Sequence, residues 1–374
     1  MRIAFDARMI YRNFSGIGNY SLNLLKVLAK IDRQNEYVIL TRAGFKPELP
    51  QNFVIADYDF YPLSLRTLFL LKKDLSQYKV DIFHSPFYLS PLNLNVSTIV
   101  TAHDVALLSP NHFKGRYWAI QFYARQFVEY SLHKSFKKAE RILAVSRDVK
   151  NDIVRLNLAE ESKIRVICSA INLPLHKESP SNCYRESTQS DKAVILTVGQ
   201  TRPLKNWWNL IRAFRILRDR IGKCSLVLVS SDDRNLKSIK ALITELKFEP
   251  TEVKILGYQT QEQLVNLYKS ADVFVFPSLY EGFGMPPLEA MACGVPVVAS
   301  NRGALPEVLG DAAYYVNPET VEDIAAGMQK VLEDKELRNT LIQRGYEQVK
   351  KYSWEKTARQ VLNIYNEVYQ EHKK

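Results

Sequence analysis

The stretch FVFPSLYEGFGMPPLEAMACGVPVVAS, residues 274–300, decides the fold class of this chain. It begins with a short apolar run, passes through a loop with two glycines into a helical segment that opens at Pro286-Pro287, and ends in a second apolar run. Proline suits the first turn of a helix because the N–H that it lacks would have no intrahelical partner there. Apolar strands that alternate with helices predict a parallel sheet covered on both faces.

The same alternation runs through all 374 residues. The predicted strands are MRIAFDA, YVILTR, DIFHS, TIVTAHD and RILAVS in the first half, and AVILTVGQ, CSLVLVSS, VKILGY, VFVFPS and VPVVAS in the second. Helical patterns lie between them, such as NYSLNLLKVLAKI and NWWNLIRAFRILRDR. Because the chain is also about twice as long as an ordinary domain, we predict two Rossmann-like, doubly wound α/β domains.

The predicted domains are residues 1–178 and 190–355, joined by the polar segment 176–192, which has no apolar periodicity. A final helix is predicted over 356–374. Most apolar side chains between residues 354 and 368 lie on one side of this helical pattern. Ligands of doubly wound sheets bind outside the carboxyl ends of the strands. We therefore expect the two domains to face each other across a cleft, with the chemistry in the loops that follow strands.

The charge of the chain is concentrated in its first half. The formal net charge is +11, and residues 1–180 contain 25 Lys and Arg against 16 Asp and Glu. A basic half suits a phosphorylated substrate or an anionic membrane surface. Because the sequence has no helix-turn-helix, zinc-finger or RNA-recognition signature, we expect no nucleic-acid partner.

The sequence also predicts where the protein works. Its four cysteines form no CxxC pair, which favours reduced thiols in the cytoplasm. The first residues, MRIAFDARM, resemble a strand rather than a signal peptide, and no apolar run is long enough to span a bilayer. Two stretches, 63–75 and 114–142, are basic and rich in apolar or aromatic residues, and each fits either a buried core face or peripheral contact with an anionic membrane.

The loop and helix at 281–289 predict a site for an anion and a sugar. The first turn of a helix offers unpaired N–H groups and the positive end of the helix dipole. Gly282 and Gly284 allow the backbone to approach a phosphate closely. We expect Glu289, early in the helix, to stay ionised and accept hydrogen bonds from a diol such as ribose, and Glu281 to reach other hydroxyls.

Two other interpretations fit the same loop. It can be a tight strand–helix turn with two solvated glutamates, or it can supply the acid and nucleophile of a glycosidase. We disfavour the glycosidase because the helix end should lower the pKa of Glu289, whereas a general acid needs a raised pKa.

A second loop, in VGQTRPLKNWWNLI at 198–211, follows another strand of the same half. It carries Arg202 and Lys205, and two cations at the end of a strand are suited to neutralising a diphosphate. One lysine after a strand is a weak signal, but together with the loop at 281–289 it predicts a phosphate site.

The E-x7-E spacing of Glu281 and Glu289, the VG…KN loop and the two-half layout resemble glycosyltransferase family 4, of the GT-B fold. The opening residues are similar to the branch with bacterial polysaccharide mannosyl- and glucosyltransferases. The resemblance covers almost the whole chain and is most specific at 276–309. It implies a retaining hexosyltransferase of polysaccharide biosynthesis with a UDP-glucose or GDP-mannose type of donor, a glycan or lipid-linked saccharide acceptor, and no metal or other cofactor.

The resemblance also implies roles for individual residues. Glu281 would hold hydroxyls of the donor sugar, Glu289 the ribose and Lys205 the diphosphate, and the last helix would cross back onto the first domain. The backbone over the sugar and phosphates would come from Phe283, Gly284 and Met285, and the base would be faced by Gly257, Tyr258 and Gln259. The chain departs from the family at two places. Many members have an arginine where this chain has Gln200, and Arg202 is the predicted substitute for that arginine. Members often also have an Asn-Gly pair where this chain has VICSAINLP.

In the first half, Gly16 and Gly18 open a helix after the first strand, as in a dinucleotide-binding fingerprint. Ser21 occupies the third glycine position, and Thr41 and Arg42 stand where an acidic residue is expected, which argues against an NAD-dependent oxidoreductase. The family resemblance instead brings the two glycines toward the donor phosphates.

His103 and Asp104 follow another strand, and such a pair is more often structural than functional. The resemblance places His103 near the donor sugar, where it would steady the sugar or the developing charge. It assigns no protein nucleophile or general base, because the departing diphosphate is thought to take the proton of the acceptor. Catalysis would then consist mainly of stabilising that diphosphate.

Other motifs carry weaker predictions. Ser146 is expected to cap the helix that follows it. Asp57 and Asp59 match a metal-binding DxD pattern, but with no other ligands nearby we expect them to be surface carboxylates. A GT-B epimerase or phosphorylase and a catalytically silent scaffold remain alternative functions, although no motif for a lysine-bound pyridoxal phosphate is present.

Overall fold

The computed structural model describes residues 1–10, 16–42, 44–45, 47–62, 64–69, 71–105, 118–172, 192–231 and 234–373, and within the helix Trp118–Lys138 it describes side chains from residue 126 onward. The chain forms two compact units. The first consists of Met1–Ala170 together with Ser353–Lys374, and the second of Ile171–Tyr352. The predicted linker at 176–192 lies outside the described residues except for Lys192.

The first unit contains a parallel sheet of seven strands. They are β1 (Arg2–Asp6), β2 (Glu36–Thr41), β3 (Phe53–Asp57), β4 (Ile82–Ser85), β5 (Ser97–Ala102), β6 (Arg141–Ala144) and β7 (Ile164–Val166), in the spatial order β3-β2-β1-β4-β5-β6-β7. Its helices are α1 (Gly16–Ile31), α2 (Leu65–Phe69), α3 (Leu71–Ser76), α4 (Trp118–Lys138), α5 (Arg147–Arg155) and the C-terminal helix Trp354–Lys373. Ser146 accepts a hydrogen bond from Val149 N at 3.1 Å, which confirms its predicted role as the cap of α5.

The second unit contains a parallel sheet of six strands. They are β8 (Ala193–Val198), β9 (Cys224–Val229), β10 (Val253–Leu256), β11 (Val273–Phe276), β12 (Val297–Ser300) and β13 (Ala313–Val316), in the order β10-β9-β8-β11-β12-β13. Its helices are α6 (Trp207–Ile221), α7 (Leu236–Glu245), α8 (Gln261–Ser270), α9 (Met285–Ala292), α10 (Leu305–Leu309), α11 (Val321–Glu333) and α12 (Lys335–Val349). The predicted doubly wound α/β class is confirmed for both units.

All ten predicted strands are present, and the structure adds β3, β7 and β13. Each of the three added strands lies at the edge of its sheet. Edge strands have one neighbour instead of two, so they can be short or partly polar, and their apolar pattern is correspondingly weak. Among the described residues, no helix is long and apolar enough to cross a membrane.

The C-terminal helix packs within the first unit. Its residues Trp354, Val361, Tyr365 and Val368 are buried. The hydroxyl of Tyr365 lies 2.6 Å from Nδ1 of His84, a buried residue of β4. The helix therefore completes the core of the first unit, although it follows the second unit in the sequence.

Both sheets change direction next to their first strand. In the second unit the chain proceeds from β8 outward to β10, then returns to the other side of β8 as β11. The connections that leave β8 and β11 therefore go to opposite faces of the sheet and open a crevice at the carboxyl ends of these strands. In the first unit the equivalent point lies between β1 and β4.

Candidate functional site

The loops that follow β8 and β11 meet at the switch point of the second unit. Leu279 N donates a hydrogen bond to Leu204 O at 2.8 Å, which joins the two loops. These are the loops in which the sequence places Arg202, Lys205 and Glu281. The structure thus brings together side chains that are far apart in the sequence.

Two residues shape the loop after β8, Gly199 at its start and Asn206 directly after Lys205. A Cβ on Gly199 would lie 3.7 Å from Cδ of Lys205, so the lysine stem packs directly over this glycine. Asn206 has φ 60°, and its amide donates to Pro277 O at 3.1 Å and to Pro318 O at 2.6 Å. Asparagine tolerates the left-handed conformation and supplies two donors that a glycine lacks. This role of Asn206 was not predicted: its position directly before helix α6 indicates an N-cap, but its side chain makes no capping hydrogen bond.

Lys205 and Glu281 form an ion pair with 2.6 Å between Nζ and Oε1. Their side chains are 21% and 12% exposed, and Nζ also lies 5.2 Å from the centroid of the Phe276 ring. Removing one partner of such a pair would leave a poorly solvated charge without compensation. The sequence predicts separate tasks for these two residues, whereas in the structure each is the ion-pair partner of the other.

The backbone of Glu281 is held by the loop after β12. Ala304 N donates to Glu281 O at 3.0 Å. Gly303 has φ 59°, and a Cβ there would lie 2.8 Å from Glu281 O. Gly303 is therefore required by both its conformation and the close approach of Glu281, and sequence reasoning missed it because nothing local links the two loops.

Helix α9 begins as predicted, with proline in its first turn. Gly284 immediately before it has φ 96°, and a Cβ there would lie 2.6 Å from Cδ2 of Leu305. Backbone conformation and packing thus already require this glycine. Gly282 is buried, and the buried ring of Phe283 packs edge-on against Tyr352 with 5.4 Å between centroids. Met285 is the first residue of the helix, so its N–H lies at the positive end of the helix dipole.

The electrostatics of Glu289 differ from the prediction. The expectation that the helix end lowers its pKa is wrong: burial raises the pKa of the Glu289 carboxyl, and a hydrogen bond from Tyr268 opposes this only in part. The phenol oxygen of Tyr268 lies 2.8 Å from Oε2 of Glu289. Desolvation outweighs the dipole here because Glu289 is the fifth residue of α9, beyond the first turn in which the dipole acts most strongly. A raised pKa is what a general acid needs, so the pKa of Glu289 does not argue against a glycosidase.

Arg202 stands directly before the short 3-10 turn Pro203–Lys205. Its Nε is buried and has no hydrogen-bond partner among the described residues. A guanidinium nitrogen removed from water without an acceptor is unfavourable unless a ligand supplies one. This property fits the predicted phosphate-binding role of Arg202.

The loop with Gly257, Tyr258 and Gln259 follows β10 at the edge of the sheet, separated from β8 by β9. Tyr258 is 56% exposed, and Gln259 Nε2 donates to Gly257 O at 3.4 Å. Thr260 then starts helix α8 with a reciprocal capping box to Gln263. The loop is held at its end by this cap, while the side chain of Tyr258 is accessible to a ligand.

The remaining predicted site residues belong to the first unit. Gly16 is the first residue of α1, and Gly18 is buried within its first turn. His103 follows β5, with Nε2 at 3.0 Å from Pro86 O and the ring 4.7 Å from the ring of Tyr20. Burial lowers the pKa of His103 to about 4, so the imidazole is neutral at physiological pH. When the proton is on Nε2, the His103 ring donates a hydrogen bond to the Pro86 carbonyl, and Nδ1 is left as an acceptor.

The fully buried His84 of the first unit was not identified from the sequence. Burial lowers the pKa of His84 to about 3, and its Nε2 lies 2.9 Å from Oγ1 of Thr101.

The carboxylates of the DxD pattern, Asp57 and Asp59, lie at the end of edge strand β3. Asp59 there is 87% exposed and 3.7 Å from Arg42.

Comparison with known proteins gives a consistent result. The family model described as glycosyl transferases group 1 matches residues 184–348, and the model described as glycosyltransferase family 4 matches residues 14–174. The O-antigen chain mannosyltransferase B of Escherichia coli is 32% identical over 98% of this chain and 99% of its own length.

Two solved structures resemble the whole chain. Sucrose-phosphate synthase from Thermosynechococcus elongatus matches with a TM-score of 0.80 and 22% identity, over 99% of both chains. The Anabaena protein HepE, solved in complex with UDP-glucose, matches with a TM-score of 0.77 and 19% identity, over 98% of this chain and 100% of its own. At these identities the likeness establishes the fold.

Proposed function

This chain belongs to the glycosyltransferases of group 1 and family 4, and from that premise we propose that it is a retaining hexosyltransferase of polysaccharide biosynthesis. Its fold is the GT-B fold of glycosyltransferases. Membership in this family, rather than a pKa, argues against the glycosidase and the NAD-dependent oxidoreductase. The proposed donor is a UDP- or GDP-hexose, the proposed acceptor is a glycan or lipid-linked saccharide, and no metal is needed.

The observation that carries this proposal is the grouping of cations, carboxylates and a helix end at the switch point of the second unit. The Lys205–Glu281 pair lies there with 2.6 Å between its charged atoms. The loop that carries Glu281 leads directly into the N-terminus of α9. A nucleotide sugar presents the matching chemistry, because its diphosphate is anionic and its sugars are rich in hydroxyls.

The diphosphate is assigned to Lys205, Arg202 and the positive end of the α9 dipole, where Pro286 and Pro287 carry no N–H. Arg202 has a buried nitrogen without a partner among the described residues, and the side chain of Lys205 is only 21% exposed. A guanidinium can bind phosphate oxygens in a bidentate manner, and a helix N-terminus stabilises negative charge. These groups would stabilise the diphosphate as it leaves, which is the step that needs electrostatic help when no protein nucleophile acts.

The hydroxyl groups of the donor are assigned to the two glutamates. Glu281 would accept from the transferred sugar while its other oxygen stays with Lys205, and Glu289 would accept from the ribose. The exposed ring of Tyr258, with Gly257 and Gln259, is proposed to face the base. The donor roles of Gly16, Gly18 and His103 stay predictions.

The test is the release of nucleoside diphosphate from purified protein, with UDP-glucose, UDP-galactose, UDP-N-acetylglucosamine, UDP-glucuronate and GDP-mannose, each with and without EDTA. The mannosyltransferase relative and the complex of HepE with UDP-glucose make GDP-mannose and UDP-glucose the first donors to compare. We expect slow hydrolysis of one donor that EDTA does not change. Release that depends on metal would contradict metal-independent transfer, and interconversion of the sugar without release would instead indicate an epimerase.

The acceptor side of the proposal rests on a surface of the first unit, which we call the α2 surface and define by Tyr61, Leu65, Arg66, Phe69 and Lys72. Tyr61, Leu65 and Phe69 are 46%, 62% and 49% exposed. Apolar side chains interspersed with cations fit the headgroup region of an anionic bilayer. We propose a cytoplasmic protein whose α2 surface contacts the membrane peripherally, where a lipid-linked acceptor would be found.

A liposome flotation assay tests this contact. Binding should increase with the fraction of anionic lipid, and replacing Leu65 and Phe69 by serine should reduce it. The matched control replaces the exposed apolar residues Val154 and Leu156, which are both 39% exposed at the end of α5. Flotation that ignores anionic lipid, or that both double variants reduce equally, would contradict a membrane role for the α2 surface.

A further inference from the structure

Glu289 has a buried partner, Tyr268, which has no role in the proposed binding of the donor. Tyr268, on α8, is fully buried, and its hydroxyl donates to Oε2 of Glu289 at 2.8 Å. The ring of Tyr268 packs against Phe274 of β11, with 5.6 Å between ring centroids. The phenol is therefore fixed by the sheet, and it holds one oxygen of the carboxylate in a defined place.

The hydrogen bond has a geometric consequence. A carboxylate has two oxygens, and a donor that occupies Oε2 fixes the direction in which Oε1 can accept further bonds. A vicinal diol needs an acceptor whose orientation is set in advance, because aligning a free side chain on binding reduces affinity. Position and orientation of Glu289 are thus determined from α8, outside the loop that contains the E-x7-E spacing.

The hydrogen bond also favours the ionised form of Glu289. Burial raises the pKa of the carboxyl, and the Tyr268 hydroxyl lowers it, so loss of the hydroxyl would raise it further. Other groups act on the pair from their own elements: Cys293, at the end of α9, interacts with both Glu289 and Tyr268, while Lys269 and Tyr346 interact with Cys293. Strands β11 and β12 contribute no ionisable side chain to this region.

We propose that Tyr268 is a positioning residue of the donor site, whose hydroxyl holds one oxygen of Glu289 so that the other accepts hydrogen bonds from the vicinal hydroxyls of the nucleotide ribose. This inference rests on the proposed function, because it assumes that Glu289 binds the ribose. It adds a residue that a motif search would not find, since Tyr268 lies well before the loop and is completely buried.

The test compares Tyr268→Phe with wild type by titration calorimetry, using the nucleoside diphosphate that the donor panel identifies and its 2′-deoxy analogue. Wild type should bind the ribose form more tightly than the deoxy form. Tyr268→Phe should weaken the ribose form by roughly 10-fold, the order of a hydrogen bond to a charged group, while changing the deoxy form less. The preference for ribose should therefore shrink, which simple loss of stability would not produce.

A pH series supplies a second readout. The ratio of the two dissociation constants, variant over wild type, should increase as the pH falls from about 8 to about 5.5, because Glu289 is protonated more readily without the phenol. Titration of the ligand phosphates cancels in this ratio. The matched control is Tyr315→Phe, which removes another phenol of the same unit, one that donates to Gly310 O at 2.6 Å. Its ratio should stay near one at every pH.

Glu289→Gln separates the failure of this inference from the failure of the proposed function. If Tyr268→Phe leaves the ribose preference and pH profile unchanged while Glu289→Gln weakens binding, Tyr268 has no positioning role but the donor site stands. If wild type binds no nucleoside diphosphate, or Glu289→Gln binds it as wild type does, the ribose site itself is wrong and the inference falls with it. In the expected case, adding Tyr268→Phe to Glu289→Gln produces no further loss.

Discussion

At the scale of single residues, Glu281 is defined by its partner. Its carboxylate neutralises Lys205 in the free protein, so the cation that is assigned to the diphosphate is already engaged. An arriving diphosphate would share Lys205 with Glu281. The free energy of donor binding therefore includes the cost of weakening this ion pair.

This pairing predicts different effects for the two glutamates. Glu281→Gln should leave nucleoside diphosphate affinity unchanged or increase it, because Lys205 is released, while turnover falls by roughly 100-fold through loss of the sugar contact. Glu289→Gln should weaken donor and diphosphate alike. Calorimetry and steady-state kinetics check both variants, and equal losses of diphosphate affinity would contradict the separate roles.

Gly303 permits a second test at this scale. Gly303→Ala should reduce turnover because its Cβ would displace the backbone of Glu281, which lies 2.8 Å away. Gly222→Ala is the matched control, since Gly222 belongs to the same unit, has φ 76° and has nothing within 4 Å of its Cβ position. Both variants should lose about 1–2 kcal/mol of unfolding free energy because a side chain is strained at a positive φ, and only Gly303→Ala should lose activity. Full activity of Gly303→Ala would show that the loop after β12 does not position Glu281.

At the scale of elements, the site depends on how loops are tied to one another at the end of the sheet. Asn206 connects the end of the β8 loop to the carbonyls of Pro277 and Pro318, and Leu279 is bound to Leu204. These connections join segments that follow β8, β11 and β13. A parallel sheet makes this possible because all its strands end on the same side.

The contribution of Asn206 can be divided by two substitutions. Asn206→Gly keeps the left-handed backbone and loses two hydrogen bonds, which should reduce the unfolding free energy by about 1–3 kcal/mol. Asn206→Ala loses the same bonds and also strains the backbone by about 1–2 kcal/mol. Denaturant unfolding should therefore rank wild type above Gly and Gly above Ala. The reverse order of the two variants would mean that the conformation at Asn206 is unimportant.

Prediction from sequence succeeded best for elements whose burial is complete. Interior strands such as β8 and β11 are continuous apolar runs, and helix α9 begins at the expected prolines. Edge strands β3, β7 and β13 are not among the ten predicted strands, because one exposed edge relaxes their apolar pattern. The pKa of Glu289 was predicted with the wrong sign because burial by α8 is not visible in the local sequence.

At the scale of the whole molecule, the chain forms the first unit in two separate pieces. Residues Met1–Ala170 build its sheet, and Ser353–Lys374 return to it as a helix. This helix binds His84 through Tyr365, and its Glu367 pairs with Arg141 at 2.8 Å. Each unit has its own sheet and core, so we expect two unfolding transitions, and the first unit needs both ends of the chain.

Acid should destabilise the first unit selectively. An unfolded histidine titrates near pH 6.5, whereas burial lowers the pKa of His84 to about 3 and that of His103 to about 4 in the folded protein. Below about pH 6.5 the unfolded state binds more protons than the folded state. The stability that is complete above this pH is therefore lost as the pH falls. The loss is up to about 1.4 kcal/mol for each histidine per pH unit. Glu289 in the second unit has a raised pKa, so its contribution is lost in the opposite direction, as pH rises.

Scanning calorimetry between about pH 7 and pH 5 checks this expectation. The transition assigned to the first unit should move to lower temperature more steeply than the other, and His84→Gln should reduce that slope. The unit can be assigned by deleting residues 353–374, which should remove its transition alone. Equal slopes for both transitions would contradict a dominant role of the buried histidines.

The sequence by itself determined the doubly wound class, the interior strands, the helix that begins at the two prolines and the two loops that meet at the end of the second sheet. These features follow from local periodicity and from the backbone preferences of proline and glycine, which act over a few residues. Only the tertiary structure decided that Lys205 pairs with Glu281, that Gly303 leaves room for the backbone of Glu281 and that Tyr268 holds Glu289. These contacts join residues from different strand–helix units, and a parallel sheet brings such residues together only when its strand order is established.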